Sequence, residues 1–112
     1  MELDTKEIDG VQIVTPLTDR IDAAVAIQFK DAMRAATAES SARVVLNLNQ
    51  VIFVDSSGLG AIVSSMKALG SGRKMDLAGL NPDVNKVFRL TRMDTVFGIY
   101  ADVDAATGGV TA

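Results

Sequence analysis

The 112-residue sequence contains no cysteine, no histidine and no tryptophan. Without thiols or imidazoles, disulfides, thiolate chemistry, zinc sites of the usual kind and imidazole-based acid/base mechanisms are excluded, and most enzyme classes go with them. Aromatic residues make up only 4% of the chain, so a core has to be assembled from Val, Ile, Leu, Met, Ala and four Phe. Long apolar runs are missing as well. The longest helix-like one, Ala23 to Ile27, is far too short to span a membrane. Excess positive charge is also absent: the formal net charge of −3 argues against nucleic acid and against insertion at anionic lipid, both of which demand concentrated basic surface. A protein partner with basic patches suits such a chain better.

What is present fits one compact domain over residues 1–112, with 48% apolar and 22% charged residues. The amino terminus, MELDTKEID, opens on acids and has neither the basic stretch nor the apolar run of a targeting segment, so a cytoplasmic location is expected. Asp9-Gly10 stands between Leu3 to Ile8 and the alternating Val11, Ile13, Thr15 and Leu17, which predicts a tight hairpin. Asp22 is placed to cap a helix whose buried stripe is Val25, Phe29, Met33 and Ala36. The run RVVLNLN, residues 43–49, reads as a strand buried on both faces.

After Asp55, the apolar positions Leu59, Ile62, Val63, Met66 and Leu69 predict a second helix that closes at Gly70-Ser71-Gly72. KMDLAGL, residues 74–80, is the next expected strand. Asn81-Pro82-Asp83 supplies a cap, a proline at the first helical position and an acid in the first turn, ahead of a stripe of Val84, Val87, Phe88 and Thr91. TVFGIY, residues 95–100, is expected as the last strand, and Asp102 as the cap of a short helix ending at Gly108-Gly109. The predicted order is ββαβαβαβα: an α/β fold with a mixed, mostly parallel sheet of about five strands and about four helices.

The segment Asp55-Ser56-Ser57-Gly58 carries two readings. A helix start needs side-chain oxygen for its free amides and a glycine to turn, which explains the segment without any function. Yet one cap needs one oxygen, and three oxygen-bearing side chains stand together at the carboxyl end of a strand, where open α/β sheets place their sites. Helical spacing from Ser56 gives Gly60, Ser64 and Lys67, and from Ser57 gives Ala61, Ser65 and Ala68, so the side expected to lie opposite the buried stripe is made of small residues. A smooth helix face lets another backbone approach closely, although a solvated face has no need of bulk either. Catalysis has little support. With no histidine only a Lys could serve as base for a serine nucleophile, and Lys67 lies about three helical turns from Ser56 at ~1.5 Å per residue. Gly58-Leu59-Gly60 lacks the third glycine of a dinucleotide fingerprint, and no phosphate-binding loop is present. Asp19, Asp22 and Asp55 are explained by solvation and capping, so no metal and no cofactor is expected.

The run NLNQVIFVDSSGLGAIV resembles the signature of STAS domains, and specifically of bacterial anti-sigma factor antagonists. LTDRID, residues 17–22, falls where that family has the loop before its first helix, and residues 81–106 resemble its third helix, last strand and final helix. The resemblance implies partner switching in transcription regulation by a non-enzymatic phosphoprotein. The unmodified antagonist binds an anti-sigma factor that is also a serine kinase, phosphorylation ends that binding, and a serine phosphatase restores it. By position the acceptor is Ser56. The resemblance makes Asp55 the adjoining motif acid and Asp22 a loop acid at the partner surface, with Ser57, Gly58, Gly60, Ala61 and Ser64 completing the partner-binding set. Asp19 and Arg20 stand where many members have Gly and Glu, and Arg92-Met93 replaces a common Gly-Leu. A constitutive STAS subunit of a transporter or stressosome-like complex, with the serines acting only as caps, is the alternative.

Overall fold

Asp9 and Gly10 both adopt left-handed backbone conformations, with φ of 52° and 79°. That is the geometry of a two-residue turn matched to strand twist, and it pairs β1 (Leu3–Ile8) with β2 (Val11–Pro16) in antiparallel register, Ile8 beside Val11. The computed structural model from which these positions are taken describes residues 1–39 and 42–108. The final glycine of the expected Gly108-Gly109 stop lies outside them.

The other ladders of the main sheet are parallel. β2 pairs with β4 (Arg43–Asn47), β4 with β6 (Lys74–Ala78) and β6 with β7 (Ile99–Tyr100), giving the order β1-β2-β4-β6-β7. The expected mixed, mostly parallel sheet of five strands is therefore what forms. Successive residues of its central strands are buried on opposite faces. Val14, Val44, Leu46, Met75 and Leu77 join Phe29, Met33, Ile62, Val84 and Phe88 in the larger core, whereas Ile13, Val45 and Ala78 meet Ala106 on the other side. Burial on both faces is why residues 43–48 show no polar alternation.

Among the described residues four helices cover these faces: α1 (Ala26–Ala36), α2 (Ser56–Ala68), α3 (Pro82–Leu90) and the short α4 (Val103–Ala106). α3 and α4 start as expected, Asn81 Oδ1 accepting from the Val84 amide and Asp102 Oδ1 from the Ala105 amide, each at 2.8 Å. α1 does not start as expected. Asp22 spends one carboxylate oxygen on the Ala24 amide at 3.1 Å, and its carbonyl accepts from the Val25 amide. The resulting turn delays the helix to Ala26, with Val25 at its cap and no side-chain cap bond.

Three further departures have local causes. Thr91 is exposed, not part of the buried stripe, because α3 ends at Leu90 and Arg92 turns left-handed with φ 63°. The expected strand over 95–100 shrinks to Ile99–Tyr100. A 3-10 turn, Met93–Thr95, takes its first residue and the chain bends after it, with Phe97 in edge contact with Phe88, ring centroids 6.1 Å apart. Two strands of two residues each, β3 (Arg20–Ile21) and β5 (Phe53–Val54), pair in parallel as a separate small sheet. This pair positions the start of α2.

Candidate phospho-acceptor and partner surface

β3 and β5 run in register, Arg20 beside Phe53 and Ile21 beside Val54. Ile21 and Val54 are buried, so strand alternation turns Arg20 and Asp22, Phe53 and Asp55, to the opposite side. Asp55 leaves the strand with extended backbone and caps α2: its Oδ1 accepts from the Gly58 amide at 2.8 Å. Its Oδ2 accepts from the Ala23 amide at 3.1 Å, which ties the helix start to the turn after β3. The Gly58 amide is the main cause that holds the Asp55 carboxyl below its ordinary pKa. Partial desolvation opposes it, and the Ala23 and Ser57 amides and the Arg20 charge add to it.

Because Asp55 does the capping, neither serine is required for it. Ser56 and Ser57 are the first two helical residues and both are exposed. Asp22 stands in the turn that the Ala23 amide ties to Asp55, its Oδ2 accepting from Arg20 Nε at 3.1 Å. The Arg20 guanidinium in turn lies over the Phe53 ring, 4.7 Å from its centroid.

Gly60 and Ser64 continue the exposed side of α2, and a Cβ added at Gly60 would meet nothing within 4 Å. Two residues expected on the partner-binding face are elsewhere. Gly58 is buried, and a Cβ there would lie 1.8 Å from the Ile21 carbonyl oxygen. Ala61 is buried in the core cluster that contains Phe29 and Met33 of α1. Ser65 is buried as well, its hydroxyl donating to the Ala61 carbonyl at 2.9 Å. Small residues do admit another backbone here, but for Gly58 it is the chain's own β3. Gly58 and Ala61 therefore shape the helix's seat instead of its outer surface.

Arg20, Ile52 and Phe53 were not among the expected site residues. Ile52 and Phe53 are 59% and 41% exposed and, with Val84, Val87 and Asp83 of α3, line a groove of about 200 Å³. An apolar run before a helix reads as core, and a two-residue strand has too little alternation to show which side chain points out. Lys67 lies eleven positions beyond Ser56 on α2, and a separate cavity of about 510 Å³, lined by Lys6, Thr15, Asn47, Asn49 and Asp102 among others, includes none of the site residues. Among the described residues no group of three carboxylates is placed to hold a metal ion, and no helix is long and apolar enough to cross a membrane.

A family model described as "STAS domain" matches residues 2–106. Among solved structures, the chain is similar to an anti-sigma factor antagonist from Mycobacterium paratuberculosis, with 27% identity over 97% of this chain and 92% of that one and a TM-score of 0.85. It is similar to a Thermotoga maritima protein provisionally designated an anti-sigma factor antagonist, with 28% identity, 96% and 93% coverage and a TM-score of 0.83. The fold also recurs in the murine anion transporter Slc26a9, with 19% identity over 93% of this chain and 18% of that one and a TM-score of 0.77.

Proposed function

Because the chain belongs to the STAS domain family, we propose that it acts as an anti-sigma factor antagonist, a one-domain cytoplasmic binding protein and not an enzyme. In its unmodified form it binds a serine-kinase anti-sigma factor through the surface formed by Asp22, Asp55, Ser56, Ser57, Gly60 and Ser64. The kinase transfers the γ-phosphoryl group of ATP to Ser56 Oγ, which gives up its proton, and the complex comes apart. A serine phosphatase resets the switch. The observation that carries this reading is the division of labour at α2: Asp55 caps the helix and leaves the exposed Ser56 hydroxyl at its first position. The two relatives near 28% identity, both designated as antagonists, support the same role.

The physics of the site suits a switch. A phosphate adds about −1.5 to −2 charges and three acceptor oxygens at a helix amino terminus, where the dipole favours an anion by ~0.3 to 1 kcal/mol, so the fold tolerates it. In an interface the same group must be desolvated beside Asp55 and Asp22, and each tenfold loss of affinity requires only about 1.4 kcal/mol.

Intact-mass analysis before and after incubation with ATP and the serine-kinase-like anti-sigma factors of the host tests the proposal. One added phosphate, lost in Ser56→Ala and retained in Ser57→Ala, is the expected result. No added mass with any such kinase would sink the switch and favour a constitutive subunit of a transporter or stressosome-like complex.

A further inference from the structure

A cation stands on the strand paired with the one that leads into the proposed phosphate acceptor, and its present partner is a weaker one than a phosphate. Arg20 is held on the outward side of β3 by the same alternation that turns Asp22 and Asp55 outward. Its charge reaches Asp55, the residue next to Ser56. Of the five N–H donors of its fork, only Nε meets Asp22 among the described residues, at 3.1 Å, while the ring of Phe53 supports the guanidinium from one side. A phosphate dianion offers that fork more charge and more acceptor oxygens than a single carboxylate does.

We propose that Arg20 is the internal counter-ion of a phosphate on Ser56, so that phosphorylation exchanges the Arg20–Asp22 ion pair for an Arg20–phosphate pair. This rests on the reading of Ser56 as the phosphorylation site and deepens it. The modified surface then differs from the unmodified one at two places: a phosphate clamped by Arg20 and an Asp22 carboxylate released from its cation. A partner that had met a neutralised Asp22 meets two anions instead. The charged groups on the elements that frame the helix start are Arg20 and Asp22 from the β3 segment, Asp19 just before it with its carbonyl on the Ile52 and Phe53 amides, and Asp55 at the helix cap. Asp83 of α3 lines the Phe53 groove, and Lys30 and Arg34 of α1 flank α2 at Ser64. Arg20 is therefore the cation to remove.

The test uses the whole chain with phosphoserine installed genetically at position 56, so that it depends on no kinase, and follows the phosphate by ³¹P NMR as pH is varied. Its second pKa, about 6 for a free phosphoserine, is expected to lie lower in the native sequence than in Arg20→Gln. Arg20→Lys, which keeps the charge, is expected to restore much of the lowering, and added salt to shrink the difference. Superimposable titrations of the native and Arg20→Gln proteins would overturn the proposal. Failure of host kinases to modify Ser56 would instead count against the proposed function and leave this titration measurable.

Discussion

Asp55 carries two tasks with two oxygens, and both are strengthened when the carboxyl is ionised. One oxygen accepts from the Gly58 amide of α2 and the other fixes the turn after β3, so losing the proton is easier in the fold than in the unfolded chain. The sign of the consequence follows from linkage. A carboxyl with a folded pKa below its unfolded value contributes stability above the unfolded value, near 4, and that contribution disappears as pH falls through the folded pKa. Asp55→Asn keeps a side chain that caps well but cannot ionise. Its melting temperature is expected to fall less steeply than that of the native chain as pH is lowered below about 4, measured by circular dichroism. Parallel curves would remove the charge from the account. At this scale the sequence was legible in its polar residues: Asn81, Asp102 and Asp55 stand at caps because a short polar side chain before an apolar period has few other uses. Asp22 did not follow, since its oxygens are taken by the Ala24 amide and Arg20 before a helix can start.

At the scale of the element, α2 shows how far helical periodicity reaches. The apolar stripe identified the side that faces the sheet, and Ile62 and Leu69 are indeed buried. Small residues carry no such label, and the helix is covered on more than one side: β3 crosses its first turn and α1 lies along it. Gly58, Ala61 and Ser65 are therefore interior, while Gly60 and Ser64 are exposed. The two glycines offer opposite outcomes from one substitution. In Gly58→Ala the new methyl falls on the Ile21 carbonyl, where backbone cannot yield cheaply, so destabilisation at or above the usual ~1 to 3 kcal/mol of overpacking is expected. In Gly60→Ala the methyl enters open space on a helix interior, and a gain of about 0.5 to 1 kcal/mol is expected. Urea unfolding of both variants decides this. If both lose stability alike, the helix is seated differently from the description above. Anti-sigma factor binding by Gly60→Lys adds the functional half: weakened binding with an intact fold places the partner on the exposed strip.

For the whole molecule, the sheet's two faces are held by different means, and that difference separates the proposed switch from the frame. The face under α1, α2 and α3 has the larger apolar core. Among the described residues the opposite face carries the four-residue α4, too short to hold itself by helix propensity or by its few apolar contacts. An ion pair does the fastening there. The fully buried Asp76 of β6 accepts from Arg43 of β4 at 2.7 and 2.8 Å, and the same guanidinium donates to the Ala106 carbonyl at the end of α4 and lies against the Tyr100 ring. Gly98 leaves the space that Asp76 Oδ1 occupies, since a Cβ there would come within 2.7 Å of it. None of this was readable beforehand: an Arg and an Asp 33 positions apart meet only because two paired parallel strands set them diagonally across, two residues apart in register, and a sequence shows strands without their neighbours. Removing one partner strands a buried charge, so Arg43→Met is expected to destabilise the protein by about 3 kcal/mol, softened by Lys74 at 3.7 Å from Asp76. Amide hydrogen exchange should become faster in α4 and β7 before it does in α2, and phosphorylation at Ser56, on the other helical layer, should proceed at the native rate. A variant that loses α4 protection yet remains a full kinase substrate would establish that the clamp serves the fold and the Asp55 turn serves the switch. Equal loss of protection in α2 would instead make the two faces one cooperative unit.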